Sequence, residues 1–145
     1  LSIDKSKACL TLGQIEEWLK KAGVNATAQR LAICQFVLCQ ADHPTADDIK
    51  VWADDNFPKI SLATVYNTLN TLVEAGLLRE YCFPHSEKKI YDNNIVDHYH
   101  LYDEATHRLI DVSPEVVTVD HAKLKNANIK RADLILYGSI LNEEK

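Results

Sequence analysis

The sequence predicts an α+β chain: a winged-helix domain over residues 1–90, followed by a small α/β domain over residues 91–145. Three observations predict it. Apolar residues recur at helical spacing in successive segments up to Gly76 and at strand spacing beyond it. Turn formers separate the helical segments at Gly23, His43-Pro44, Pro58 and Gly76. The last third alternates short apolar runs with turns and holds a dense group of carboxylate and imidazole side chains.

The first helix, Leu12 to Lys21, places Ile15, Trp18 and Leu19 on one stripe and stops before Gly23. Thr27 caps the next, in which Leu31, Ile33, Cys34, Val37 and Leu38 run at helical spacing. Thr45, with Asp48 three residues on, has the form of a capping box opening Ala46 to Asp55. Ser61 caps a fourth helix from Leu62 to Ala75, closed by Gly76. Leu77 to Phe83 and Lys88 to Asp92 then read as a hairpin around Pro84-His85-Ser86-Glu87. Helices followed by a hairpin make the winged variant of a helix-turn-helix. His98 to Tyr102 and Arg108 to Val112 form a second strand pair around Asp103-Glu104-Ala105-Thr106. A last strand, Leu134 to Leu141, follows a polar segment with room for a short helix.

The chain has 145 residues and is 46% hydrophobic, enough for a packed core. No apolar run approaches the roughly 18 residues that span a bilayer, so no membrane partner is expected. The N-terminus lacks an apolar signal region, and the absence of Met implies a trimmed chain. Cys9, Cys34, Cys39 and Cys82 form no Cys-x-x-Cys pair. Along one helix Cys34 and Cys39 would stand roughly 8–9 Å apart, too far for a disulfide. Buried free thiols and a cytoplasmic location are therefore expected. Residues 1–90 carry a net charge of −1 and residues 91–145 the remaining −4 of the total −5. If one part meets nucleic acid, it is the first.

The acidic part contains Asp92, Asp97, His98, His100 and Asp111. Alternate residues of a strand share a face, so His98 and His100 can present two imidazoles to one point. By itself such a pair is more often ordinary solvated histidine. Nitrogen and carboxylate oxygen without thiolate suit iron(II) or manganese(II), with zinc(II) as a surrogate.

On a helical wheel of Leu62 to Ala75, Leu62, Val65, Leu69, Leu72 and Val73 form the buried stripe. Thr64, Asn67, Thr68 and Thr71 stand opposite, with Tyr66 at the boundary. An amphipathic helix with a solvated polar face is the plain alternative, but Thr and Asn cost helix propensity that Glu and Lys would not. A small, polar, uncharged face fits a DNA major groove, where Asn pairs with adenine and Thr or Tyr meets thymine methyls or phosphates. Ser61 at the helix start belongs to the same candidate surface. Lys20, Lys21, Arg30, Lys59, Arg79, Lys88 and Lys89 are the candidates for phosphate contacts. A near-neutral domain binds DNA weakly alone, so a dimer over two half-sites is expected.

Two segments carry a family resemblance: Ala41-Asp42-His43-Pro44-Thr45-Ala46-Asp47-Asp48-Ile49 and Ile60-Ser61-Leu62-Ala63-Thr64-Val65-Tyr66-Asn67-Thr68-Leu69. Thr27-Ala28-Gln29-Arg30, Val73-Glu74-Ala75-Gly76-Leu77 and Asp97-His98-Tyr99-His100 extend it. Together they closely resemble the ferric uptake regulator (Fur) superfamily of metal-dependent bacterial repressors, over roughly Leu19 to Asp111 and weakly to Ser139. The resemblance implies an N-terminal DNA-binding domain, a C-terminal dimerisation domain, and a homodimer on double-stranded operator DNA. At the metal site the peroxide-sensing (PerR) branch is most similar. By position its ligands fall on His43, Asp92, His98, His100 and Asp111, and its peroxide-oxidised histidines on His43 and His98. Iron-sensing members tend to have Glu where this chain has Asp111.

The chain departs from most of the family at the structural zinc. The first cysteine pair falls on Asp103 and Thr106, the second on about Ile140 and Glu143, so no structural zinc is expected. Leu101, Leu109, Ile110, Leu134, Leu136 and Ile140 are then expected to hold the C-terminal domain by packing. The iron response regulator (Irr) branch also lacks those cysteines, so iron or haem sensing is the alternative reading. Cys82 is followed by Phe83, so no Cys-Pro haem motif is present. An enzyme is not expected: a metallohydrolase of the His-x-His-x-Asp-His type would need Asp-His where Tyr102-Asp103 stands.

Overall fold

The computed structural model describes residues 9–141, which divide after Ile95 into a helical unit and a sheet unit. Glu143, the last position expected to replace a zinc cysteine, lies outside the described residues.

The helical unit holds α1 (Leu12–Lys21), α2 (Ala28–Cys39), α3 (Ala46–Asn56) and α4 (Leu62–Glu74), then β1 (Arg79–Tyr81) and β2 (Ile90–Asp92). Each helix begins where a hydroxyl can accept from the backbone three residues on. Thr27 accepts from Arg30 N and Ser61 from Thr64 N. Thr45 and Asp48 form the reciprocal box, as Thr11 and Gln14 do for α1. Such caps contribute about 1 kcal/mol each. The helices enclose Ile15, Leu19, Ile33, Val37, Leu38, Ile49, Val65, Leu69 and Leu72, all buried. The antiparallel hairpin sets Arg79 opposite Asp92 and Tyr81 opposite Ile90. Both strands are shorter than the sequence pattern suggested.

Asn93, buried just after β2, donates its Nδ2 to the carbonyls of Val37 and Ala41, each at 3.1 Å. Tyr91 N donates to Pro44 O at 2.9 Å. Burial lifts the Tyr91 phenol to about 12. The chain after β2 is thus bonded to the end of α2 and to the loop that follows it.

The cysteines differ from expectation. Cys9 and Cys39 form a disulfide with Cα atoms 4.8 Å apart, while Cys34 and Cys82 are free. Spacing along one helix correctly excluded Cys34 with Cys39. It said nothing of Cys9, which precedes α1 and meets the last residue of α2 through helix packing.

The sheet unit is built on β3 (Tyr99–Asp103), β4 (Arg108–Val112) and β5 (Ile135–Gly138) in the order β4-β3-β5. The first pair is antiparallel, with His100 opposite Asp111. β5 runs parallel to β3, with Ile135 beside His100. Short 3-10 turns occupy Pro114–Val116 and His121–Lys123, in the polar segment with room for a short helix. The expected core is thinner than the sequence suggested. Leu109 and Val112 are buried, whereas Leu136 and Ile140 are exposed in the single chain. Parallel β5 at the edge of three strands leaves its outer residues without a covering layer.

At the positions where the resemblance put the first cysteine pair, Asp103 and Thr106 close the β3–β4 turn by hydrogen bonds. Thr106 Oγ1 donates to Asp103 Oδ2 at 2.8 Å and Ala105 N to Oδ1 at 3.0 Å. The Thr106 hydroxyl holds the Asp103 carboxyl below its ordinary pKa.

Candidate metal centre and nucleic-acid face

In the helical unit, α2 ends at Cys39, and the loop turns through Asp42 and His43 into the cap of α3. His43 adopts φ +48°, a left-handed conformation uncommon for a side chain other than Gly. Its Nε2 lies 3.3 Å from Asp92 Oδ2, and its Nδ1 lies 2.8 Å from Asp42 Oδ1. Asp92 is buried, and one of its carboxylate oxygens accepts from Asn94 N at 2.8 Å. Two positions 49 residues apart are so brought together by the β2–loop contact that Tyr91 and Pro44 make.

In the sheet unit, His98, His100 and Asp111 converge. The Nε2 atoms of the two histidines are 3.1 Å apart. Asp111 Oδ1 is 3.4 Å from His98 Nε2 and 3.5 Å from His100 Nε2. Cross-strand pairing of His100 with Asp111 sets half of this cluster. All three residues are buried. His98 Nδ1 lies 2.6 Å from the carbonyl of Val96, which can only accept. Nδ1 therefore donates to it, and Nε2 is the ring atom turned toward Asp111 and His100.

These spacings suit a metal. Two donors each about 2.1 Å from one ion stand about 3.0 Å apart at octahedral angles and about 3.4 Å apart at tetrahedral ones. Three buried nitrogen and oxygen atoms at 3.1 to 3.5 Å match that range. A buried carboxylate is costly without a compensating positive charge, which a cation held by these donors would supply. In the sheet unit His100 and Asp111 offer a nitrogen and a carboxylate oxygen for such a cation, and in the helical unit His43 and Asp92 likewise offer a nitrogen and a carboxylate oxygen. His98 adds the Nε2 described above within the sheet unit. Asp97, named with this group, is exposed.

On α4, Ser61, Tyr66 and Asn67 are exposed and Thr64 is half-buried. Thr68 and Thr71 are corrected: both are buried, at 0% and 8% exposure. Their hydroxyls donate back to Thr64 O and Asn67 O at 2.8 and 2.9 Å. That bond satisfies a Thr hydroxyl inside the helical core, so a polar residue can occupy the buried stripe. Leu62, expected in that stripe, is 38% exposed at the first turn of α4. The outward face thus narrows to Thr64, Tyr66 and Asn67, with Ser61 serving as the cap.

The candidate phosphate contacts are exposed except Arg30 and Arg79, which are half-buried; Arg30 donates Nη1 to Asn25 O at 3.2 Å. Lys59 adopts φ +62° just before α4. Lys88 pairs with Asp47 and Lys89 with Glu80, the latter at 3.6 Å. Lys20 pairs with Glu16 at 3.3 Å, and Lys21 lies 5.5 Å from the centre of the Trp18 ring. Exposed pairs of this kind are worth about 0–1 kcal/mol, so a phosphate can displace them. Tyr81, Phe83 and His85 stack in sequence along the wing, with ring centres 5.2 and 5.7 Å apart. His85 is half-buried.

Sequence reasoning missed Asn93 and the Val96 carbonyl. Asn93 carries no pattern of its own, and a backbone carbonyl has no sequence signature.

Comparison with known proteins extends these observations. The model of the ferric uptake regulator family matches residues 21–137. Over 93 residues, 64% of this chain, it is 38% identical to the peroxide-responsive repressor PerR of Staphylococcus epidermidis. That match spans 61% of the relative's length. Among solved structures, the chain is similar to the Vibrio cholerae ferric uptake regulator (Fur), with a TM-score of 0.66 and 26% identity. The likeness covers 87% of this chain and 99% of that one. It is also similar to the Campylobacter jejuni peroxide stress regulator, with a TM-score of 0.59 and 25% identity over 92% and 98% of the two chains.

Proposed function

We propose, for a chain that belongs to the ferric uptake regulator family, that it is a metal-dependent transcriptional repressor whose signal is peroxide. In this reading it acts in the cytoplasm as a homodimer on double-stranded operator DNA. Iron(II) or manganese(II) is the regulatory ion. The single observation that carries the reading is the buried convergence of His98 Nε2, His100 Nε2 and Asp111 Oδ1 at metal-like spacing.

His98, His100 and Asp111 hold the ion from the sheet unit, with the Val96 carbonyl keeping the His98 lone pair turned inward. His43 and Asp92 supply the further ligands from the helical unit; this rests on the family's ligand set rather than on an interdomain geometry. Sharing ligands between the units makes the ion a clamp on the angle of the reading helix. Binding linkage then requires DNA to tighten metal affinity by the factor by which metal tightens DNA affinity. Iron(II), when bound, would supply the peroxide chemistry that oxidises His43 or His98. A histidine so modified no longer offers the same nitrogen lone pair, and the clamp loosens. On α4, Asn67, Tyr66 and Thr64 read bases, while Ser61 and the lysines beside the helix, Lys59 above all, position the backbone. The resemblance to peroxide-responsive relatives favours peroxide over iron or haem as the signal.

The test uses duplexes selected by the protein from a random-sequence pool in the presence of manganese(II). Wild-type affinity should fall at least tenfold when a chelator is added, and His98→Ala and Asp111→Ala should remove that dependence. Undiminished metal dependence in both variants would sink the ligand assignment. Peroxide added to iron-loaded protein should release DNA and place oxygen on His43 or His98 by mass spectrometry. Release without histidine oxidation would overturn peroxide sensing at this site and leave the metal-dependent repressor standing.

A further inference from the structure

The Cys9–Cys39 disulfide lies outside the metal chemistry and joins two ends of the helical unit that differ electrostatically. Cys9 is exposed and stands two residues before Thr11, the N-cap of α1, where the helix dipole favours a thiolate. Cys39 is half-buried and is the last residue of α2, where the dipole disfavours one. The other thiols differ. Cys34 is fully buried, and desolvation pushes its thiol up to about 12, which keeps it protonated and inert. Cys82 is exposed and free.

Cys39 also begins the loop that carries His43. Gln40 N and Ala41 N both donate to Phe36 O at 2.9 Å. Ala41 O accepts from Asn93 at 3.1 Å, and Pro44 O accepts from Tyr91 N at 2.9 Å. His43 keeps its left-handed backbone between these anchors. The disulfide is the only covalent cross-link among the described residues, and it fixes the entry to this loop.

We propose that Cys9 and Cys39 form a reversible dithiol–disulfide couple, closed by peroxide and opened by low-molecular-weight thiols, that sets the order of the His43 loop. The Cys9 thiolate attacks the peroxide O–O bond, giving a sulfenic acid on Cys9 and hydroxide. The Cys39 sulfur, losing its proton, then displaces the sulfenic hydroxyl as water and forms the S–S bond. Two thiols are oxidised, one peroxide is reduced, and two waters leave. In the return direction, one low-molecular-weight thiolate attacks the disulfide and a second resolves the mixed disulfide, so two reductant thiols become one disulfide. The regulatory meaning rests on His43 as a metal ligand; the redox chemistry does not.

The experiment uses the full chain, freed of metal by a chelator, so failure of the metal reading cannot imitate failure here. After reduction with dithiothreitol and desalting, equimolar hydrogen peroxide should lower the thiols that react with a polyethylene-glycol maleimide, counted after quenching and unfolding in denaturant so that buried Cys34 is reached, from four to two. Peptide mapping should find Cys9 joined to Cys39, and glutathione should restore all four thiols. Four thiols left after peroxide, a bond to another cysteine, or a bond that glutathione does not open would each overturn the couple. Backbone hydrogen exchange at Gln40 to His43 should be about tenfold faster in the reduced protein than in the oxidised one. Cys9→Ser kept under oxidising conditions should match the reduced rate. Equal rates in the oxidised and reduced wild type would overturn the link to the loop.

Discussion

Removing the Asn93 side chain amide should unfasten the end of α2. Asn93 is 5% exposed, and its Nδ2 is the donor to Val37 O and Ala41 O, each at 3.1 Å. Val37 O lacks the usual helical donor, because Ala41 N turns to Phe36 O instead. Both acceptor residues are buried, at 1% and 8% exposure, so truncation leaves two carbonyls poorly placed to find water. An orphaned buried group costs about 1–3 kcal/mol, which for two carbonyls gives about 2–6 kcal/mol for Asn93→Ala. Asn93→Asp should lose at least as much, since carboxylate oxygen would face carbonyl oxygen. Urea unfolding followed by fluorescence of Trp18 and Trp52, both in the helical unit, reads the loss as a lower midpoint at unchanged slope. A loss below about 0.5 kcal/mol for Asn93→Ala would refute the reasoning, because ordinary exposed substitutions stay within that range.

On α4, Asn67→Ala should weaken binding to the selected duplex by about tenfold to a hundredfold, the worth of one bidentate base contact. Thr68→Val, which changes a buried hydroxyl bonded within its own helix, should leave DNA affinity within about twofold, as a solution anisotropy titration would show. His43→Gly should leave the metal-free protein within about 1 kcal/mol of wild type, because glycine relieves the positive φ while losing a side chain. The same change should lower manganese(II) affinity at least tenfold by calorimetric titration; unchanged affinity would remove His43 from the ligand set. Thr106→Val should raise the Asp103 pKa toward its ordinary 3.8 in an NMR titration. The sign follows from a depressed folded value: the bond stabilises the turn above the unfolded carboxyl's pKa and is lost as pH falls through the folded one. The variant should therefore show a weaker loss of stability below pH 3.8 than wild type.

Local order was legible because its causes are local. Thr27, Thr45 and Ser61 bond to backbone within three residues of themselves, so the helix starts could be read from short words of sequence. Strand alternation likewise placed His98 on the same side as His100, and although β3 begins only at Tyr99 their Nε2 atoms do meet. Family membership followed from contiguous motifs around His43 and along α4. The side of α4 that faces the core was less legible, because hydrophobicity ranks Thr with the polar residues. Thr68 and Thr71 escape that ranking by bonding to carbonyls of their own helix, which only the packed helix reveals.

Tertiary structure alone decided the contacts that join distant parts of the chain. Helix packing brought Cys9 to Cys39 across 30 residues. The turn after β2 brought Asn93 to α2 across 52 and 56 residues. The same path brought Asp92 to His43, and backbone geometry turned the His98 lone pair inward by way of Val96. A sequence states which atoms can donate, accept or ligate, and its periodicity states which face they share. Which distant partner each atom meets depends on how the core closes, since many pairings satisfy the same local rules and one packing satisfies them together.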